Sequence, residues 1–277
     1  MSSTPATSPP PAFRPVAAVT PHAGHALAGI WRLAVRPFYT PLHWLTLAGM
    51  LALLGVFSFA MAPDRGGPDP FIPWVARFYV GFLVPLLAFV SAGGAIRDDL
   101  QPGVIDYLFT RPVRRPHFIA FRFLTHLGAA QINHTCALIV VAGLGIYRGV
   151  PGLGDALPLL LLGQVLMLVT FSAFGFLAGM LTSRYVIIGL VYGGVVEVAL
   201  GSVPTALNRL SMSRHGLSVL QPLLSDSTEA AKTLVTATSF SAPATVGLLL
   251  LVASILLGLT ALVFNLREFN GGAARDA

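Results

Sequence analysis

Long apolar runs separated by short polar stretches make up most of the sequence from about residue 42 onwards. Six of these runs are long enough to cross a bilayer, which takes about 20 mostly apolar residues. Because a segment inside lipid must satisfy its backbone hydrogen bonds internally, each run predicts a helix. The six predicted spans are residues 44–62, 78–96, 123–146, 157–181, 185–203 and 244–266.

The segments outside these runs also carry recognisable patterns. Residues 1–24 are rich in proline and predict a flexible cytoplasmic tail, as do residues 267–277 at the other end. Residues 25–41 place Trp31 and Phe38 on one helical face and Arg32 and Arg36 on another, which is typical of an interfacial helix. The alternative is a helical start to the first span. The long segment before the last span, residues 204–241, predicts short helices on or in the outer leaflet.

The predicted fold is therefore an all-α polytopic membrane protein, with a six-span domain over residues 42–266. Composition supports it, since 55 % of residues are hydrophobic, only 10 % are charged and the mean hydropathy is +0.77. Soluble proteins carry about a quarter charged residues. These values exclude a soluble enzyme, a disordered protein and a disulfide scaffold.

The positive charge of the chain is interpreted as a topology signal. A net charge of +6 would suggest nucleic-acid binding in a soluble protein, but here the arginines stand in short segments between apolar runs. We therefore expect no nucleic-acid partner. The arginines are more frequent on the side that holds both termini, which predicts that both termini are cytoplasmic.

Charged residues concentrate in the loop between the second and third spans, where residues 97–123 read RDDLQPGVIDYLFTRPVRRPHFIAFRF. Pro102 and Gly103 predict a turn, and residues 104–110 predict a short helix. Arg111 ends that helix, because the residue before Pro112 avoids the helical region. The candidate partner-binding residues of this loop are Asp98, Asp99, Gly103, Asp106, Arg111, Pro112, Arg114 and Arg115.

This loop resembles the one that joins the second and third spans of ABC-2 type permeases, the membrane subunits of bacterial ABC exporters. Arg122 stands where that family often has lysine, whereas Val104, Phe109 and Phe121 depart from its usual threonine, leucine and small residue. The positions that match its acidic, glycine, aliphatic and Pro-aliphatic-x-Arg pattern are Asp99, Gly103, Ile105, Leu108, Thr110, Pro112, Val113 and Arg115.

The resemblance implies a mechanism and a set of partners. The loop helix would be a coupling helix seated on a separate ABC ATPase, present in two copies that bind ATP and Mg²⁺. This chain lacks the G-x-x-x-x-G-K-[ST] phosphate-binding motif, so we expect neither enzyme activity nor a cofactor in it. A second permease would complete the complex, as a homodimer or a heterodimer, in the lipid of the bacterial inner membrane.

The implied function is outward movement of a substrate. The alternative is a mechanical transmitter, in which the same complex drives assembly or maturation of an extracytoplasmic machine and moves no cargo. That version requires an extracytoplasmic protein partner, and the long segment before the last span is the candidate contact. An intramembrane enzyme is disfavoured, because neither a G-x-S-x-G nor an H-E-x-x-H motif occurs.

Polar residues at bilayer depth are costly and are therefore functional candidates. Glu197 either lines a dimer interface or substrate path, or bonds to a neighbouring helix. Asn133 and His134 lie in the third span; His126 is about 12 Å from His134 by helical rise, too far for one metal ion. Gln164 is typical of a hydrogen bond between helices.

Glycines four residues apart occur in the fourth span, at Gly175 and Gly179, and in the fifth span, at Gly189 and Gly193. Such pairs let two helices approach closely. They indicate either an interface between subunits or packing between spans of one chain.

Overall fold

A computed structural model describes residues 28–29, 31–32, 40–62, 71–101, 115–200, 210–224 and 241–266. About 92 % of these residues are helical, and none of them lies in a strand. The helices are α1 (Pro41–Met61), α2 (Phe71–Asp99), α3 (Arg115–Arg148), α4 (Leu153–Leu181), α5 (185–200), α6 (Met212–Val219) and α7 (Ala242–Leu266).

Within the described residues, five helices, α1 to α4 and α7, are long and apolar enough to cross a membrane. The prediction of an all-α fold is confirmed for these residues, and the five helices indicate a multi-pass membrane protein. In the fifth predicted span, residues 185–203, the structure describes seven α-helical residues, Tyr185–Val191, followed by nine π-helical residues, Tyr192–Leu200. Residues 201–203 of that span lie outside the described residues, and the six-span layout stays a prediction.

Two helices begin well before the predicted spans. α2 begins at Phe71 rather than residue 78, and its segment Val75–Leu83 is π-helical. α3 begins at Arg115 rather than residue 123. Hydropathy alone places a span boundary where polar residues begin, although a helix can continue past that point into the interface.

α4 lies at the centre of the bundle, in contact with α2, α3 and α7. About two-thirds of its apolar stretch (67 %) is buried, against 18 % for α1 and 17 % for α7. The outward faces of α1 and α7 are therefore the faces available to lipid.

Glycines allow α2 and α4 to approach each other closely. A β-carbon at Gly175 would overlap the Phe89 carbonyl, and one at Gly179 would lie 2.6 Å from the Gly93 carbonyl oxygen. This glycine pair therefore serves packing within the chain. Gly193 has no such neighbour among the described residues.

The described part of the connection between α5 and α7 includes the short helix α6 and the 3₁₀ turn Gln221–Leu223. α6 packs into the bundle against α2, α4 and α7. Leu217 lies against Gly81 of α2, and Leu220 lies against Gly163 of α4. Both contacts lie towards the N-terminal ends of α2 and α4, whereas the segment between α2 and α3 lies at the opposite end of α2.

Most of the predicted interfacial helix at residues 25–41 lies outside the described residues. Residues 28–29 and 31–32 are helical, and the Trp31 ring packs against Gly128 of α3. The predicted tails, residues 1–24 and 267–277, lie outside the described residues as well.

Candidate functional site

An ion pair joins the end of α2 to the beginning of α3. Arg122 of α3 pairs through its Nε with the carboxylate of Asp99, and its Nη2 donates to the Ala95 carbonyl oxygen at 3.2 Å. The two charged side chains are only 12 % and 14 % exposed. A charge-assisted bond of this kind is stronger than a neutral one, and partial burial limits its screening by salt. The pair therefore fastens the two helices together at the base of the connecting segment.

The other predicted loop residues fall on both sides of the ion pair. Asp98 is exposed in the last turn of α2 and accepts a hydrogen bond from Gln101 Nε2 at 3.3 Å. Arg115 is the first residue of α3. The remaining candidates lie outside the described residues: Gly103, Asp106, Arg111, Pro112 and Arg114.

Three buried polar groups from three helices meet inside the bundle. The hydroxyl of Tyr79, in the π-helical part of α2, lies 2.7 Å from the His134 carbonyl oxygen of α3. It lies 3.1 Å from Oε1 of Gln164 on α4. Gln164 thus takes part in contacts between helices, and Tyr79, which the sequence did not single out, is the residue that joins them.

Asn133 and His126 are two further polar residues of α3. Asn133 is half-buried, and its Oδ1 has no hydrogen-bond partner among the described residues. The His126 ring packs at 5.6 Å from the Phe176 ring. Nowhere in the described ranges do three His, Cys, Asp or Glu side chains come together as a metal site would require.

Glu197 binds the N-terminus of α6. Its Oε1 accepts from the Met212 backbone N–H at 3.0 Å and its Oε2 from the Ser213 N–H at 3.2 Å. The Ser211 hydroxyl also donates to this carboxylate, while its oxygen caps α6 by accepting from the Arg214 N–H at 3.2 Å. The N-terminal N–H groups of a helix lack partners within the helix, and the helix dipole favours an anion there.

Two further residues, Tyr192 and Arg214, affect the start of α6. The Tyr192 hydroxyl donates to the Leu210 carbonyl oxygen at 3.3 Å, so α5 holds the start of α6 from a second side. Arg214 places a cation in the first turn of α6, where the helix dipole opposes it. Partial burial lowers the pKa of Arg214 because burial penalises its charged form. The negative charge of Glu197 is favourable beside the positive end of the α6 dipole.

The sequence contained partial signals for the residues that were missed. Ser211 is a typical helix N-cap residue just before Met212, but nothing local indicates which acid lies near it. The sequence identified Arg122 only as a match to the family motif. Its pairing with Asp99 could not be predicted, because that pairing depends on how α3 is rotated against α2.

Comparison with known proteins adds no family: no family model matches the chain, and no curated protein matches it.

Proposed function

We propose that the chain is one membrane half of an ATP-driven permease of the ABC-2 type, coupled to a separate ATPase that binds the segment between α2 and α3. The observation that carries the proposal is the ion pair of Asp99 with Arg122. These residues are the acidic and basic positions at the two ends of the motif that resembles that family's loop. Their pairing supports a loop whose two ends move together.

A path from this ion pair through the bundle supports mechanical coupling. Force on the segment between α2 and α3 would act on both helices at once, since the ion pair joins them. The glycine contacts bring the backbones of α2 and α4 close together at Gly175 and Gly179. At the far end, Gly81 of α2 contacts Leu217 of α6. Movement of α2 would therefore reach α6.

The proposal includes the remaining parts of the complex. Two ATPase subunits bind ATP and Mg²⁺, a second permease completes the membrane part, and this chain performs no catalysis. In the proposed topology of six spans, both termini and the segment between α2 and α3 are in the cytoplasm of a bacterium, and lipid covers the exposed faces of α1 and α7.

A mechanical transmitter without cargo is the second candidate. The observation that favours it is the attachment of α6, which is held by α5 through Glu197 and by α2 through Leu217. An extracytoplasmic partner bound to the connection between α5 and α7 would thus be tied to the helices that move.

The first test is purification of the tagged full chain from native membranes, followed by mass spectrometry of the proteins that co-purify. We expect an ABC ATPase. Recovery of an additional extracytoplasmic protein would favour the transmitter, whereas absence of any ATPase in several mild detergents would contradict the permease proposal.

The second test uses the ion pair itself. Arg122→Asp places two carboxylates together, so we expect stimulation of the partner's ATPase activity to fall. The double variant Asp99→Arg, Arg122→Asp restores an opposite-charge pair and is expected to recover part of it. Asp155→Ala is the matched control, since Asp155 is an exposed acid in the first turn of α4, outside the segment between α2 and α3. Full stimulation by Arg122→Asp would refute the coupling role.

A further inference from the structure

Four buried polar atoms, two on α3 and two on α4, have no hydrogen-bond partner among the described residues. They are Nε2 of His126, Nδ1 of His134, Nε2 of Gln164 and Oγ of Ser172. The exposed fractions of these residues are 8 %, 5 %, 0 % and 0 %. We call this set of four side chains the α3–α4 seam.

Two contacts define the register of the seam. At one end, the Tyr79 hydroxyl reaches both the His134 carbonyl and the Gln164 side chain. At the other end, the His126 ring lies beside the Phe176 ring. His126 and His134 are separated by about 12 Å of helical rise, whereas Gln164 and Phe176 are separated by about 18 Å along α4, which runs in the opposite direction. The register is therefore counted from the contact of His126 with Phe176.

Small side chains occupy the middle of the seam. Ser172 lies one helical turn before Phe176 on α4, and the register sets it opposite Ala130, which is midway between the two histidines on α3. Both residues are buried. Neither residue has a bulky side chain. Space beside polar atoms is where buried water binds in proteins.

The orientation of the Gln164 amide does not supply the missing partner. The Tyr79 hydroxyl has one proton, which it donates to the His134 carbonyl oxygen at 2.7 Å. If the amide is turned, its nitrogen donates to the Tyr79 oxygen, and its own oxygen becomes the unpaired atom. In either orientation, one buried polar atom of Gln164 needs a further partner.

The energetic cost of unpaired atoms argues for water. Each buried polar group without a partner forfeits its hydration, and four of them would cancel much of the net stability of a folded domain. Nearly all buried polar groups in native proteins bond to protein or to ordered water. Water can donate to a histidine nitrogen and accept from an amide or a hydroxyl, so one ligand suits all four atoms.

We propose that the α3–α4 seam binds a chain of ordered water molecules that links His126, Ser172, His134 and Gln164 inside the bundle. These waters take the place of direct bonds between α3 and α4. The two helices can then shift along each other and exchange water partners, while each polar atom keeps a hydrogen bond to water. The inference is independent of the proposed function, since it rests only on contacts within the bundle.

Radiolytic labelling in heavy-oxygen water tests the proposal on the full chain in lipid nanodiscs. Hydroxyl radicals formed from bound water label the side chains that touch it. We expect heavy oxygen on Tyr79, His126 and His134 although all three are buried. Phe71 is the control, since it is an aromatic residue of α2 as buried as Tyr79 and packs against Gly145 of α3. Equal lack of label on Tyr79, both histidines and Phe71 would overturn the proposal.

Variants locate the water. Ser172→Val fills the middle of the seam with methyl groups, so we expect loss of label at His126 and His134. Thr170→Val is the matched control on α4, because the Thr170 hydroxyl already donates to the Leu166 carbonyl oxygen at 2.8 Å. If Ser172→Val does not fold, Gln164→Leu tests the other end, with loss of label at Tyr79 expected. Unchanged label in the folded variants would place the water outside the seam and refute the proposal.

Discussion

Replacing Glu197 by alanine is the most direct test of the contact between α5 and α6. The substitution removes an acceptor shared by the Met212 and Ser213 N–H groups and by the Ser211 hydroxyl. The Ser211 cap remains, because its oxygen still accepts from the Arg214 N–H. The change therefore acts on the attachment of α6 and leaves its own cap in place.

The expected loss can be worked from these bonds. A hydrogen bond to a charged group contributes about 1.5–3 kcal/mol. A carboxylate at a helix N-terminus contributes a further 0.3–1 kcal/mol or so. The bonds share one carboxylate and are not additive, so we take about 3 kcal/mol for Glu197→Ala. Glu197→Gln keeps one acceptor oxygen without the charge, and we expect about 1 kcal/mol.

Hydrogen–deuterium exchange of α6 measures this free energy, since its amides exchange through local opening. A loss of about 3 kcal/mol corresponds to exchange that is roughly a hundredfold faster, and about 1 kcal/mol to roughly a fivefold change. Ser218→Ala is the matched control on the same helix, because it removes only the bond from the Ser218 hydroxyl to the His215 carbonyl oxygen.

Two outcomes would refute the reasoning. If exchange across α6 in Glu197→Ala equals that in Ser218→Ala, the carboxylate does not hold the helix. If Glu197→Gln speeds exchange as much as Glu197→Ala does, the charge of the carboxylate rather than its hydrogen bonds stabilises the contact. The free energy estimated above from hydrogen bonds would then be assigned to the wrong interaction.

Two further predictions concern packing. Gly179→Ala should destabilise the chain by about 1–3 kcal/mol in a thermal or denaturant assay, because its β-carbon would press on the Gly93 backbone. Gly193→Ala, which meets no described neighbour, should be neutral or slightly stabilising, and equal loss in both variants would contradict the close contact of α2 with α4. Arg148→Gln should cost about 1 kcal/mol, since the guanidinium lies 4.6 Å from the Phe59 ring centroid and donates to the Ala62 carbonyl oxygen. Tyr147→Ala, at the exposed neighbour of Arg148, is the control. An equal loss of stability in both variants would show that the Arg148 contacts do not stabilise the chain.

Much of the architecture could be predicted from hydropathy. The runs that contain α1, α4 and α7 are long and almost free of charge, and those helices lie close to the predicted spans. The π-helical segments could not be predicted, because Val75–Leu83 and Tyr192–Leu200 are as apolar as α-helical spans. Nothing in local composition distinguishes the two kinds of turn, and the choice between them depends on how each helix packs.

The sequence by itself determined that this is a helical membrane protein and which residues carry charge at the ends of its helices. Lipid requires long apolar runs and internal backbone bonding, and both are local properties that can be read along the chain. Only the tertiary structure decided which polar groups meet: Asp99 with Arg122, Tyr79 with Gln164, and Glu197 with α6. Those contacts depend on the rotation and register of packed helices, which follow from the fit of many side chains at once.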